Sequence, residues 1–88
     1  MSPTPTSARK SVTRVQTGVR LEKRLLQVLK ALAARKDMGL GDLIEGIVLH
    51  SFDGKAPFDP ETLAFIAQMR DAFGLDLTSA DSHLLTED

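Results

Sequence analysis

Cysteine is absent from this 88-residue chain, and histidine occurs only twice, at His50 and His83. Without a thiol the chain can form neither a disulfide, nor a cysteine nucleophile, nor a zinc–thiolate cluster. A glycine-rich phosphate loop and the H-E-x-x-H metal motif are also absent. We therefore expect no enzyme activity, no metal and no cofactor.

Long apolar runs are missing too. No uncharged stretch approaches the ~18 residues that a bilayer-spanning helix needs. The opening MSPTPTSARK has no apolar core like that of a signal peptide. With 42% hydrophobic and 26% charged residues, the composition is typical of a globular domain. These features predict a soluble cytoplasmic protein that does not contact a membrane.

The formal net charge of −1 conceals a strong separation of charge along the chain. Residues 1–36 carry nine Lys and Arg against the single acid Glu22, which gives +8. Residues 37–88 carry two bases against eleven acids, which gives −9. A basic end of this kind favours binding to a polyanion; the alternative is chance clustering on solvated helix faces.

The basic end begins with an irregular segment and continues with an alternating one. Residues 1–11 are mostly Ser, Thr and Pro, and we expect a flexible basic arm. Residues 14–21 alternate with a period of two, which predicts one β-strand with an apolar face and a polar face. Because no later segment alternates and a lone strand is unstable in water, we expect its partner strand to come from a second copy of the chain.

Helical spacing follows in three segments, at residues 22–36, 40–52 and 61–73. Asp59 is a candidate cap for the third helix and Gly74 its natural stop. We divide the chain into an arm (1–11), a strand-helix-helix domain (12–54), and a C-terminal helix with a frayed acidic tail (55–88).

The order of strand, helix and helix resembles the ribbon-helix-helix family of DNA-binding proteins, the Arc/MetJ/CopG type. The resemblance covers residues 13–52 and is most specific in V-x-T-x-V-R-L, which enters a helix, and in L-G-D-L-I-E-G-I-V. It implies a mainly α fold with one short β-strand. Two chains would intertwine as a homodimer through a two-stranded antiparallel ribbon that enters the DNA major groove.

The resemblance also implies roles for residues. Gln16, Gly18 and Arg20 match the base-reading positions; Gln16 suits adenine and Arg20 suits guanine, whereas Gly18 has no side chain to read with. The candidates for phosphate binding combine basic side chains with the start of the second helix: Arg9, Lys10, Arg14, Lys23, Arg24, Gly39, Leu40 and Gly41. The candidates for the dimer core are the apolar residues of the strand and of the first two helices: Val15, Val19, Leu21, Leu25, Leu29, Leu32, Leu40, Leu43, Ile44, Ile47 and Val48.

These features predict a homodimeric transcriptional repressor that occludes a short pseudo-palindromic operator on double-stranded DNA. One alternative is an antitoxin, in which residues 58–88 bind a toxin protein while the N-terminal domain binds DNA. Another is a dimerisation or adaptor module with no DNA role, although such a module has no need of a strongly basic end.

Overall fold

A computed structural model describes residues 9–88 of the protein; the first eight residues of the predicted arm lie outside the described residues. The described chain forms three α-helices: α1 (Lys23–Arg35), α2 (Leu40–Phe52) and α3 (Pro60–Phe73). A single 3₁₀ turn, Ser79–Asp81, follows α3.

Carboxylate caps begin two of the helices. Glu22 stands at the N-cap of α1, where its side chain accepts hydrogen bonds from the backbone N–H groups of Arg24 and Leu25, both at 3.0 Å. Asp59 caps α3 as the sequence predicts, accepting from the N–H of Thr62 at 2.8 Å, and Pro60 follows it. Each cap satisfies donors that have no partner inside the helix.

All three helices end in a left-handed residue, at Asp37, Gly54 and Gly74, with φ of 54°, 69° and 67°. After α1, the N–H of Met38 donates to the carbonyl of Ala33 at 3.0 Å, which is the long hydrogen bond of a Schellman motif. Glycine adopts this conformation without a steric cost, whereas the Cβ of Asp37 makes the conformation less favourable there.

The core lies where α1 packs against both α2 and α3. Leu32, Ala33 and Leu43 are buried at its centre. Five further side chains pack around them: Leu29, Ile47, Phe58, Phe65 and Ile66.

Polar contacts show that α3 runs antiparallel to α1. Lys36, just after α1, donates to the hydroxyl of Thr62 in the first turn of α3 at 3.2 Å. At the opposite end, Arg24 donates to the carbonyl of Gly74 at 2.8 Å. The guanidinium of Arg35 lies 4.5 Å from the centre of the Phe65 ring, which adds a cation–π contact between the two helices.

The predicted ribbon-helix-helix fold with an intermolecular β-ribbon is wrong. Residues 9–88 contain no strand and no sheet, and residues 14–21 are exposed chain without regular secondary structure, whose backbone makes no hydrogen bond to other described backbone groups. The physical reason is that alternation of side chains supplies only the two faces of a strand. Its backbone N–H and C=O groups still need a neighbouring strand, and none of the described segments provides one.

The C-terminal residues are more ordered than the predicted frayed tail. Leu75 is only 6% exposed. Thr78 and Asp81 form a reciprocal capping box around the 3₁₀ turn, with the N–H of Thr78 donating to Asp81 at 2.8 Å. Arg70 also donates to the carbonyl of Leu77 at 2.6 Å, so the chain beyond α3 is held against that helix.

Candidate nucleic-acid interface

The basic end of the described chain is concentrated in residues 9–24, which we call the basic segment. It contains six cations and one acid, Glu22. Residues 9–22 are extended or irregular chain, and α1 begins at Lys23. Nearly every residue of the segment is exposed, with Glu22 and Arg24 half-buried.

The predicted base-reading residues, Gln16, Gly18 and Arg20, all lie in the exposed extended part. Arg20 has a side chain that is 83% exposed. No heavy atom lies within 4 Å of the position that a Cβ would occupy at Gly18, so packing in the chain does not require a glycine there. The structure thus leaves these positions accessible without forming them into a strand.

Arg14 binds an acid of α2. Its Nε and one terminal nitrogen donate to the two carboxylate oxygens of Glu45 at 2.9 and 2.8 Å. The hydrogen bond with Glu45 raises the pKa of Arg14, and the same contact lowers the pKa of Glu45. This bidentate pair joins residue 14 to α2, and the Arg14 side chain remains 66% exposed.

Arg24 occupies the junction of α1 with the end of α3. It bonds to Glu22 at 3.1 Å, to Asp76 at 3.0 Å and to the carbonyl of Gly74. The hydrogen bond that Arg24 donates to the Glu22 carboxylate is the main cause of the raised pKa of Arg24. Burial raises the pKa of Glu22, but the N–H groups of Leu25 and Arg24 and the Arg24 guanidinium outweigh it, so the net pKa is lowered. Arg24 therefore connects the start of α1 to the residues that follow α3.

Arg20 pairs with Glu87 in the C-terminal tail. Both side chains are largely exposed, Arg20 at 83% and Glu87 at 66%. Solvent screens an exposed pair of this kind, so it contributes little to stability and can exchange partners.

The remaining cations of the basic segment are Arg9, Lys10 and Lys23, all exposed. None of the three forms an ion pair with another described residue. They are the predicted phosphate-binding side chains that the structure leaves most open.

The predicted phosphate-binding turn at Gly39, Leu40 and Gly41 is the start of α2. Gly39 is the N-cap and supplies no side-chain hydrogen bond, so the first N–H groups of α2 keep their donor capacity. Asp42 lies in the same turn, however, and its charge contributes to the raised pKa of Arg14. A phosphate at this turn would therefore meet a carboxylate as well as the helix dipole.

The predicted dimer-core residues divide into two groups. Leu32 and Leu43 are buried inside a single chain, and Leu29 and Ile47 pack against them, while Leu40 and Ile44 are partly buried. The other residues of the set are exposed to at least 38%: Val15, Val19, Leu21, Leu25 and Val48.

The exposed apolar residues extend beyond that set, with Phe52 at 81% and Leu49 at 62% exposed. A groove between the extended chain and α2 brings some of them together, lined by Val12, Ile44, Val48 and Leu49 and bordered by Lys10 and the Arg14–Glu45 pair. We call the exposed apolar residues of the segment and of the last turn of α2 the apolar face: Val12, Val15, Val19, Leu21, Val48, Leu49 and Phe52.

Sequence reasoning missed the acidic partners of the basic segment. Glu45, Asp76 and Glu87 bind Arg14, Arg24 and Arg20 from 31, 52 and 67 residues away. The signal was present in the opposite net charges of the two halves of the chain, which favour contact between them.

No helix of the described residues is long and apolar enough to cross a membrane, and these residues contain no cluster of three potential metal ligands. No family model matches the chain. A search of curated proteins and a search of solved structures also find no match.

Proposed function

We propose that the protein binds double-stranded DNA through the basic segment and acts as a transcriptional repressor by occluding an operator. The observation that carries the proposal is the exposed, non-helical chain of residues 9–21, which holds four cations and no acid. Phosphate contacts supply most of the affinity for DNA, and extended backbone brings such side chains along a groove.

The maximum reach of residues 9–20 is compatible with a DNA site of about one helical turn. From Arg9 to Arg20 the chain can reach at most ~36 Å at ~3.3 Å per residue. One turn of B-DNA measures about 34 Å. In this proposal Arg9, Lys10 and Lys23 contact phosphates, while Gln16 and Arg20 contact base edges.

Substitution of Arg20 tests the base-reading role. A preferred duplex is first selected from a random pool with the full chain. Arg20→Ala should weaken binding to that duplex by about 1–3 kcal/mol per lost guanine contact, with a smaller effect on random DNA. Thermal unfolding should be nearly unchanged, because the side chain is exposed. Equal losses on both duplexes would contradict base reading by Arg20.

Lys10→Ala is the matched phosphate-contact variant. It should weaken binding to selected and random duplexes alike and reduce the salt slope by about one. The measurement is fluorescence anisotropy with labelled duplex at graded salt. If the loss were confined to the selected duplex, Lys10 would read sequence rather than backbone.

We also propose that a second copy of the chain covers the apolar face. The side chains of this face are exposed, from Val48 at 38% to Val15 and Phe52 at 81%. Exposed apolar surface of this kind is typical of a protein interface, and a standard interface buries ~800 Å² per partner. A two-fold contact brings the same apolar patch of each chain together without requiring a β-ribbon.

Sedimentation equilibrium at micromolar concentration tests self-association. The wild type should be a dimer, and Val19→Ser should shift it towards monomer. Leu84→Ser is the matched control, because Val19 and Leu84 are 74% and 76% exposed but only Val19 belongs to the apolar face. A wild-type monomer, or equal effects of the two variants, would contradict the dimer.

A further inference from the structure

We propose that the acidic C-terminal tail is an intramolecular competitor for the DNA-binding surface, with Glu87 occupying Arg20 until DNA displaces it. This inference rests on the proposed function, because it makes Arg20 the side chain for which the tail and DNA compete. Its structural basis is the Arg20–Glu87 ion pair, which joins the extended basic segment to the end of the chain.

Contacts before the tail hold the chain that joins α3 to the tail. Leu75 is buried beside the end of α3, and the carbonyl of Leu77 accepts from Arg70. The capping box of Thr78 and Asp81 then fixes the next turn of the chain. These contacts place the beginning of the tail, so that only the last few residues must be ordered for Glu87 to reach Arg20.

Asp76 contributes a second acidic contact at the same boundary, 3.0 Å from Arg24. The two contacts differ in strength in a way that suits competition. Arg24 is 34% exposed and donates hydrogen bonds to three protein acceptors, so its position is fixed by the fold. Arg20 and Glu87 are both largely exposed, so their pair is screened and can open when a phosphate or a guanine offers a better partner.

The competition has a predictable size. An exposed ion pair with Glu87 lowers the fraction of unpaired Arg20 by only a small factor. Removing the Glu87 charge should therefore raise DNA affinity about two- to fivefold at low salt. The effect should shrink as salt rises, because salt screens an exposed pair between protein groups.

The test compares two neutralising variants of the full chain, Glu87→Gln and Glu61→Gln, on a 20-base-pair duplex at 50 mM salt. Both remove one negative charge, but Glu61 is exposed in the first turn of α3 and pairs with no described cation. Glu87→Gln should tighten binding about two- to fivefold more than Glu61→Gln, and this difference should vanish in an Arg20→Ala background. Equal effects of the two variants would overturn the inference while leaving DNA binding itself intact.

A second measurement separates failure of the inference from failure of the proposed function. The side-chain Nε–H signal of Arg20 can be followed by NMR without DNA. Glu87→Gln should shift that signal and Glu61→Gln should not; an unshifted signal overturns the tail contact. If the signal shifts but no DNA binds to any variant, the contact stands, and both the proposed function and the competition are refuted.

Discussion

Truncation of Leu32 should nearly abolish the fold. Leu32 is 2% exposed and packs with Ala33 and Leu43 at the meeting point of the three helices. Replacing a buried leucine by alanine removes transfer free energy and leaves a cavity, at a cost of about 2–5 kcal/mol. A domain of this size has a total stability of roughly 4–13 kcal/mol. Because the described core contains only five buried apolar residues, we expect the protein to lie near the lower end of that range.

Urea unfolding followed by helical circular dichroism measures this effect, at one fixed protein concentration so that self-association does not alter the comparison. Leu63→Ala is the control: Leu63 lies on α3 but is 52% exposed, so its truncation should cost less than about 1 kcal/mol. If Leu32→Ala and Leu63→Ala shifted the urea midpoint equally, the packing of α1 against α2 and α3 would be incorrect.

Three further substitutions test the helix ends. Asp37→Gly should raise the free energy of unfolding by about 0.5–1 kcal/mol, because φ is 54° at this residue. Gly54→Ala should lower it by about 1 kcal/mol, because φ is 69° there. A loss of stability for Asp37→Gly in urea unfolding would refute the left-handed conformation after α1. In the folded protein the pKa of Glu22 is lowered from its ordinary value of 4.5. The ionised carboxylate therefore stabilises the fold above about pH 4.5, and this stabilisation is lost as the pH falls through the lowered pKa. Glu22→Gln should therefore flatten the acid limb of a stability–pH curve, and an unchanged slope would exclude the cap.

The helices were predictable because the information that specifies them is local. Apolar residues of α1 recur at steps of three and four, and the bounds of α2 agree with the spacing of its leucines and isoleucines. The cap at Asp59 and the stop at Gly74 depend only on their near neighbours. In contrast, the helical spacing includes Glu22 in the first helix, whereas in the structure it is the N-cap that precedes α1.

The strand was not predictable in the same way, because a strand depends on a partner that alternation does not supply. Residues 14–21 alternate as expected for a strand, yet they remain extended chain in the described fold. The candidate interface shows the same division. Its cations follow directly from composition, but pairing of Arg14 with Glu45 or Arg20 with Glu87 arises only when helices and tail pack.

The salt dependence of binding to a 20-base-pair duplex tests whether the basic segment binds DNA. Each phosphate that the protein neutralises contributes roughly −0.9 to the slope of log K against log salt. Arg9, Lys10 and Lys23 are the open cations of the basic segment, so we expect measurable binding at 50 mM salt and a slope of about −3 or steeper per chain. No binding at 50 mM salt, or a slope near zero, would contradict a DNA-binding role for the basic segment.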